Sequence, residues 1–531
     1  MLILVRKYFV MKNALAVLLM LISVTAYNQV KPRKLGNTLN NPSFNYWAPY
    51  ISLDGNTVIF QCDYTEDNTP APFISVRQGV DWKEPILIPK KFVANAFLKG
   101  YTLSADGKTM YSTTTYNSTT GGFDIFIVRF NGTTFTDAIS IGAPINSSGH
   151  DASPTFSADG NQIYFMRCAK MNANEAEGCK LFTAKKRNGI WETPTELPPS
   201  INAGNSQMPR MLADGQTLLF ASNMHKPSKG GMDLYMTRLV DNQWSAPVNL
   251  DFVNTKGEDI YASASSVGMS LLRDSPGDRK SELVEYFFPA DIKPKAVMRV
   301  IGVVDGLTDL TKANINIINL NSKQILNTPQ ADAKGNFTAY IPEGNLYGLF
   351  VEAPTENFKY FMKRFDLTAG NKVQNFERVS ASLKLLGPGD EMELTTVSFN
   401  SFSSEINPIS IIELQKVAKM MKGNPAINFN IDVALFGYLK DSIQTKELTE
   451  PLPDTVVYQK EFQVDSVTIE MRDSTAIEYL YHNDRTKKQA QSIVDFLVRQ
   501  GAKPDKISIT TKAVEELVAE KRKTVVYLKM K

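Results

Sequence analysis

Thr155-Phe156-Ser157-Ala158-Asp159-Gly160-Asn161-Gln162-Ile163-Tyr164-Phe165 is the stretch whose reading decides the fold, because the chain repeats it. The phrase occurs again as Ser52-Leu53-Asp54-Gly55-Asn56-Thr57-Val58-Ile59-Phe60 and as Leu103-Ser104-Ala105-Asp106-Gly107-Lys108-Thr109-Met110-Tyr111. It returns as Leu212-Ala213-Asp214-Gly215-Gln216-Thr217-Leu218-Leu219-Phe220. A degraded fifth copy, Ala264-Ser265-Ser266-Val267-Gly268-Met269-Ser270-Leu271-Leu272, loses the acid but keeps the glycine and the spacing. The glycines fall at 55, 107, 160, 215 and 268, a period of 52 to 55 residues. Asp-Gly between alternating apolar runs is a hairpin signal, because a tight turn there needs a residue at positive φ. Each aspartate therefore reads as a turn residue and not as a catalytic acid.

Every copy has a second half. Gly121-Gly122-Phe123-Asp124-Ile125-Phe126-Ile127-Val128-Arg129 matches Gly230-Gly231-Met232-Asp233-Leu234-Tyr235-Met236-Thr237-Arg238. An aromatic follows a short turn later, at Trp82, Phe135, Trp191 and Trp244, so three of the four tryptophans share one repeat position. The connectors Ile145-Asn146-Ser147, Ile201-Asn202-Ala203 and Val253-Asn254-Thr255 also match. Four short strands per unit of this length, repeated radially, predict an all-β propeller over residues 40–290. Five blades are expected, a sixth stays open, and the segment before residue 45 is a candidate closing strand. The tryptophans read as blade-packing residues. The repeat phrase resembles the WD-like repeats of TolB-type periplasmic proteins, and the connectors are similar to those of Bacteroidetes surface proteins. That likeness implies a fold and no ligand.

The bulk properties narrow the function. At 531 residues the chain should divide into about three domains. A net charge of +3 with no dense lysine or arginine run argues against a nucleic-acid partner. Arg6, Lys7 and Lys12 precede an apolar run, Ala14 to Val24, and small residues follow. Residues 1–26 therefore read as a secretory signal peptide, and no later run is long enough for a transmembrane span. Cys168 and Cys179 share one candidate hairpin loop. An exported chain offers them as a disulfide, and two reduced neighbouring thiols are the alternative. Cys62 is left over and reads as inert. Scattered His150, His225 and His482 make no metal-ligand spacing, no cofactor motif is present, and no nucleophile-elbow or zincin motif occurs. The chain is expected not to be an enzyme.

After Lys293-Pro294-Lys295 the pattern changes. Alternating strands over Val297–Val304, Ala313–Asn319, Phe337–Ile341 and Tyr347–Ala353 predict a small β-sandwich at 295–380. The order G-x-V, A-x-I, D-x-x-G-x-F and G-x-x-Y resembles the carboxypeptidase-regulatory-like family. That resemblance implies a transthyretin-like sandwich used as a spacer or contact module. Leu386-Gly387-Pro388-Gly389 then reads as a linker into an α/β domain at 390–531. This domain is expected to run β-α-β-α-β-β from a first strand at Thr396–Phe399. Its helices are marked by Leu414, Val417, Ala418 and Met421, and by Ala490, Ile493, Val494 and Leu497.

That order, with Phe399-Asn400-Ser401 and Ala490-Gln491-Ser492-Ile493-Val494-Asp495-Phe496-Leu497-Val498-Arg499-Gln500-Gly501, resembles the OmpA C-terminal family. The family holds peptidoglycan between an aspartate after the second strand and an arginine on the second helix. Here Gln489 stands at the arginine position, no aspartate follows the second strand, and residues 439–481 are inserted at the would-be site. Arg485 and Arg522 are the candidate substitutes beside Gln489. The whole order resembles Bacteroidetes envelope proteins associated with type IX secretion and gliding. It implies a periplasmic scaffold at the outer membrane, its propeller binding a protein partner and its C-terminal domain contacting peptidoglycan or a substitute. The alternative is a carbohydrate- or peptide-sensing propeller, or a degenerate hydrolase, with an acid-rich funnel at the propeller axis.

Overall fold

The computed structural model describes residues 31–65, 69–97, 100–115, 121–136, 138–265, 270–276, 280–369, 375–401, 403–438, 451–465, 468–481, 484–515 and 523–531. It divides into two compact units, Met1–Ala296 and Val297–Lys531. The signal-peptide reading, the acid-less turn at Ser266-Val267-Gly268 and Arg522 lie outside the described residues.

The first unit is all-β and consists of five consecutive antiparallel sheets, arranged as the blades of a propeller. The first holds Tyr46–Ile51, Thr57–Cys62 and Ala71–Gln78, and the second Thr102–Leu103, Thr109–Thr114, Asp124–Arg129 and Ile139–Ser140. The third holds His150–Phe156, Gln162–Cys168 and Lys180–Arg187, and the fourth Ser206–Met211, Thr217–Ser222 and Asp233–Val240. Short outer strands pair with the third strand of the first, third and fourth sheets. The fifth sheet pairs Ser270–Pro276 with Ser281–Phe287, and its outer strand is Arg33–Lys34, from the other end of the unit. The segment before residue 45 therefore supplies a closing strand.

The Asp-Gly phrase forms these sheets' first turns for the reason read from the sequence. Gly55, Gly107, Gly160 and Gly215 all have φ between +67° and +72°, a region open to glycine at no steric cost. Asp54, Asp106, Asp159 and Asp214 each accept a hydrogen bond from the backbone N–H two residues on, at 3.0–3.1 Å. Ser52, Ser104 and Ser157 donate to the same carboxylates at 2.6–2.7 Å. Each carboxylate is thus occupied by its own turn.

The matching connectors have a specific job. Asn146, Asn202 and Asn254 each bond both the N–H and the C=O of one third-strand residue: Ile125, Leu181 and Leu234 respectively. Asn40 does the same to Leu283 of the closing sheet. The preceding residues Leu39, Ile145, Ile201 and Val253 are buried as anchors. The tryptophans pack within and between sheets: Trp191 lies 6.1 Å from Phe156, and Trp244 stands edge-on to Tyr164 at 6.2 Å. Cys168 and Cys179 are joined as a disulfide. Cys62 is buried, and burial pushes its thiol up to about 11, leaving almost no thiolate at neutral pH.

In the second unit, Asn336–Pro342, Val297–Asp305 and Phe376–Ser382 form one sheet. Ile325–Asn327, Asn314–Asn319, Leu346–Glu352 and Phe361–Asp366 form another. The two sheets enclose a common core around Val300, Ile317, Ile341 and Leu349. A further sheet, ordered Glu391–Glu393, Lys523–Met530, Phe429–Tyr438, Ile507–Glu515, carries two helices, Ile411–Gly423 and Thr486–Arg499. Phe350 and Tyr360 share a core with Leu414, Val417, Ile431 and Leu497, so the segments read as two domains are welded together here. Lys416 completes the join by pairing with Glu352 and standing over the Phe350 ring.

Two local expectations differ. Thr396–Phe399 is not a strand, because the buried Glu413 carboxylate takes the Thr396 N–H at 2.7 Å and its hydroxyl at 2.6 Å, away from any ladder. The first strand lies earlier, at Glu391–Glu393, on Lys523–Met530. Within the 439–481 insertion, Pro451–Gln463 and Ile469–Tyr481 form a long two-stranded hairpin.

Two predictions follow from this packing. Replacing Asn202 by alanine leaves the Leu181 N–H without its partner, while the Leu181 carbonyl keeps the Leu197 N–H at 2.9 Å, and should cost about 1–3 kcal/mol in urea unfolding; a change under roughly 0.5 kcal/mol would refute the clamp. Glu413 has its pKa raised by burial, against the pull of the Thr396 hydrogen bonds. A carboxyl raised on folding contributes most below its ordinary pKa, and that contribution is lost as pH rises through the folded value. Glu413→Gln keeps an acceptor for Thr396, so its stability relative to wild type, read by urea unfolding, should climb as pH rises above the ordinary carboxyl range. A pH-independent difference would contradict this account.

Candidate functional site

In the second unit a cavity of about 330 Å³ opens between the second helix and the end of the sheet. Asn400, Ser403, Leu435, Arg485, Gln489 and Lys523 are among its lining residues. The local chain places them as follows. Asp484 accepts from the Thr486 N–H at 2.9 Å and so caps the second helix at its start. That sets Arg485 at the last position before the helix and Gln489 one turn on. Gln489 donates to the Ser403 carbonyl at 3.1 Å, tying the helix to the loop that leads into the first helix. Lys523 opens the last strand, paired with Phe436 of the central one.

Two of the three candidate residues, Arg485 and Gln489, therefore meet in one cavity, while Arg522 lies outside the described residues. Lys523, not singled out from sequence, joins them. Its only signal there was its place beside Arg522 at the head of the last strand. Arg485 is 5% exposed. No carboxylate is found among the lining residues. Asp432, within the second strand, points its charge to Lys529 at 2.6 Å, and Asp441, at the start of the next loop, lies outside the described residues. Chemically the cavity is a small, cationic, amide- and hydroxyl-lined recess, suited to accept a carboxylate or another oxyanion. Among its described lining residues there is no acid to pair an ammonium group.

The propeller axis is the second place where polar groups converge. Five residues occupy equivalent positions on the innermost strands, each opposite an equivalent partner. These are Tyr50 opposite Ile59, Thr102 opposite Tyr111, Thr155 opposite Tyr164, Arg210 opposite Leu219, and Ser263 opposite Leu272. On three blades the strand bulges just before, with Ala48, Ser153 and Met208 at φ of +47° to +49° ahead of a proline. The ring is stitched across blades. Ser263 accepts from the Ile51 N–H, Thr155 accepts from the Met211 N–H, and the Arg210 guanidinium lies over the Tyr50 ring at 4.9 Å.

None of these five residues is an acid, so the acid-rich funnel expected of a hydrolytic or sugar-sensing propeller is absent from this ring. The ring carries one cation instead. Arg210 is almost wholly buried, and its Nη1 donates to the Pro209 carbonyl at 2.8 Å. Burial lowers its pKa to about 10, with Tyr50 and Tyr261 acting against the shift, so it stays protonated at neutral pH. A desolvated cation–π contact supplies about 2 kcal/mol. Enclosing an unpaired ion costs several kcal/mol. No group of three or more His, Cys, Asp or Glu side chains among the described residues is placed to hold a metal ion. No described helix is long and apolar enough to cross a membrane.

Comparison with known proteins locates the fold. No family model matches the chain, and no curated protein does. A TolB-like protein from Agrobacterium tumefaciens is 13% identical, with a TM-score of 0.29, over 56% of this chain and 90% of that one. An endo-arabinase from Bacteroides thetaiotaomicron is 14% identical, with a TM-score of 0.33, over 47% and 96%. An oligogalacturonate lyase from Vibrio parahaemolyticus is 10% identical, with a TM-score of 0.26, over 65% and 84%. At such identities and TM-scores the findings go no further than that the similar structures are TolB-like and glycoside-hydrolase propellers. They also correct one expectation. Most of the similar structures are enzymes, among them the arabinase, the lyase and a family-43 glycoside hydrolase. The reading of this chain as a non-enzyme is accordingly withdrawn.

Proposed function

We propose that the protein is a binding component of the cell envelope whose C-terminal cavity takes the carboxylate end of a peptide-bearing ligand. The observation that carries this reading is the pairing of Arg485 and Lys523 in one recess without an acid among its lining residues. An OmpA-like clasp grips a zwitterion with an acid and an arginine. Here the carboxylate-binding half has a counterpart and the ammonium-binding half has none. The ligand that fits is therefore a free carboxylate, on a peptidoglycan stem peptide or on a partner protein standing in for it. Periplasmic placement at the outer membrane, the transthyretin-like role of the middle segment and a protein partner on the propeller belong to the same proposal. They rest on the order of segments along the chain. A propeller that itself takes a saccharide or peptide, on a surface other than the enclosed inner ring, is the second reading, in keeping with the arabinase and the lyase among the similar structures.

Cosedimentation with purified sacculi tests the first reading. Wild-type protein should be retained, a free carboxylate peptide should release it, and Arg485→Ala should weaken retention by about 10- to 100-fold, the worth of one charge-assisted hydrogen bond. No retention of wild type removes peptidoglycan as the ligand. Equal retention of Arg485→Ala removes the cavity.

A further inference from the structure

At the propeller axis, Arg210 has a charge that no carboxylate among the described residues answers. It forms no ion pair with any carboxylate among the described residues, and beyond the Nη1 bond to Pro209 its guanidinium has no protein acceptor. Its Nε and Nη2 are not among the fully enclosed, unbonded atoms, so this edge still faces open space. The half-buried Arg167 and the buried Arg273 of the same unit are treated differently. Arg167 is held by Asp151 at 2.6 Å and Arg273 by Asp259 at 2.8 Å. A second observation points the same way from another blade. Thr102, at the same ring position in the second blade, has its Oγ1 buried without a hydrogen-bond partner, as does the hydroxyl of the adjacent Tyr101. Native interiors seldom leave such groups unmatched.

We propose that the propeller axis is a binding site for one small monovalent anion, of the chloride or formate class, held on the Nε–Nη2 edge of Arg210. A guanidinium edge presents two parallel donors, the geometry that a halide or a carboxylate accepts. Every ring residue is at most 5% exposed, so the occupant would be enclosed with Arg210, which suits an ion of one charge matched to that guanidinium. A divalent oxyanion would bury a second charge that nothing on the ring neutralises. The anion would brace the blades from within, since Arg210 already reaches from the fourth blade to Tyr50 of the first. The site is separate from the cavity of the second unit and does not depend on its reading.

The test uses the full chain in sodium gluconate, titrated with chloride or with formate at constant ionic strength, with Tm as the readout. Wild type should show a saturable rise of about 3 °C. Arg210→Met, of similar length and uncharged, should show none, whereas Arg485→Ala should keep the full rise. Should Arg210→Met fail to fold, Arg210→Lys decides: an ammonium lacks the two-donor edge, and its half-saturating chloride concentration should be at least about tenfold higher. A wild-type Tm that is identical in gluconate, chloride and formate overturns the proposal and leaves a water-filled axis. So does the same rise in Arg210→Met, or an unchanged midpoint in Arg210→Lys.

Discussion

One side-chain amide, used four times, holds the first unit in register. A third strand lies in the middle of its blade, yet the N–H and C=O of Ile125, Leu181, Leu234 and Leu283 are answered by an asparagine from the connector. An asparagine amide carries a donor and an acceptor side by side, the complement of one backbone residue. A glutamine would overshoot, and an aspartate would offer no donor to the carbonyl. Because each asparagine sits just before the next inner strand, the same pair of bonds that completes one blade also aims the chain into its neighbour. The bulges ahead of Pro49, Pro154 and Pro209 then turn the inner strands by a common amount, and the ring of five residues at the axis follows from that repetition.

What was legible in the sequence was what repeats. Asp-Gly turns, the second-half strand, the tryptophan position and the Ile-Asn connectors recur because each blade solves the same local problem. The axis escaped for the opposite reason. Tyr50, Thr102, Thr155, Arg210 and Ser263 occupy one structural position with four residue types, since each must fit against the other four. A search for sameness passes over the place where the blades are required to differ. Counting four residues back from each aspartate, and five back from Gly268 in the copy without one, would have lined them up, but only register shows that they face one another.

The second unit shows another limit. Helix spacings and most strands were readable, because periodicity is local. Thr396–Phe399 was not, since its backbone is claimed by a carboxylate seventeen residues away on a helix. That same buried Glu413 accepts from Tyr360 at 3.3 Å, a residue of the preceding segment. Polar and apolar contacts together merge what composition had separated at Leu386-Gly387-Pro388-Gly389. A linker signature reports that a turn is present and does not report whether the surfaces on either side are sticky. In the cavity, Arg485 and Gln489 were found through a family pattern they only partly satisfy, and Lys523 through geometry alone.

Closing the first unit with Arg33–Lys34 and Asn40 has a consequence for how the chain is made. Both contact residues near 283–285, about 250 positions later, so the last blade is assembled from the earliest and latest parts of its unit. Bringing ends together over such a span carries a loop-closure cost that no local contact offsets, and distant pairings of this kind slow folding. Until residue 285 or so has been synthesised, Asn40 has no Leu283 backbone to bond and Arg33–Lys34 has no sheet to join. The four earlier blades can form as they emerge, and the circle is joined last, by residues that have waited longest.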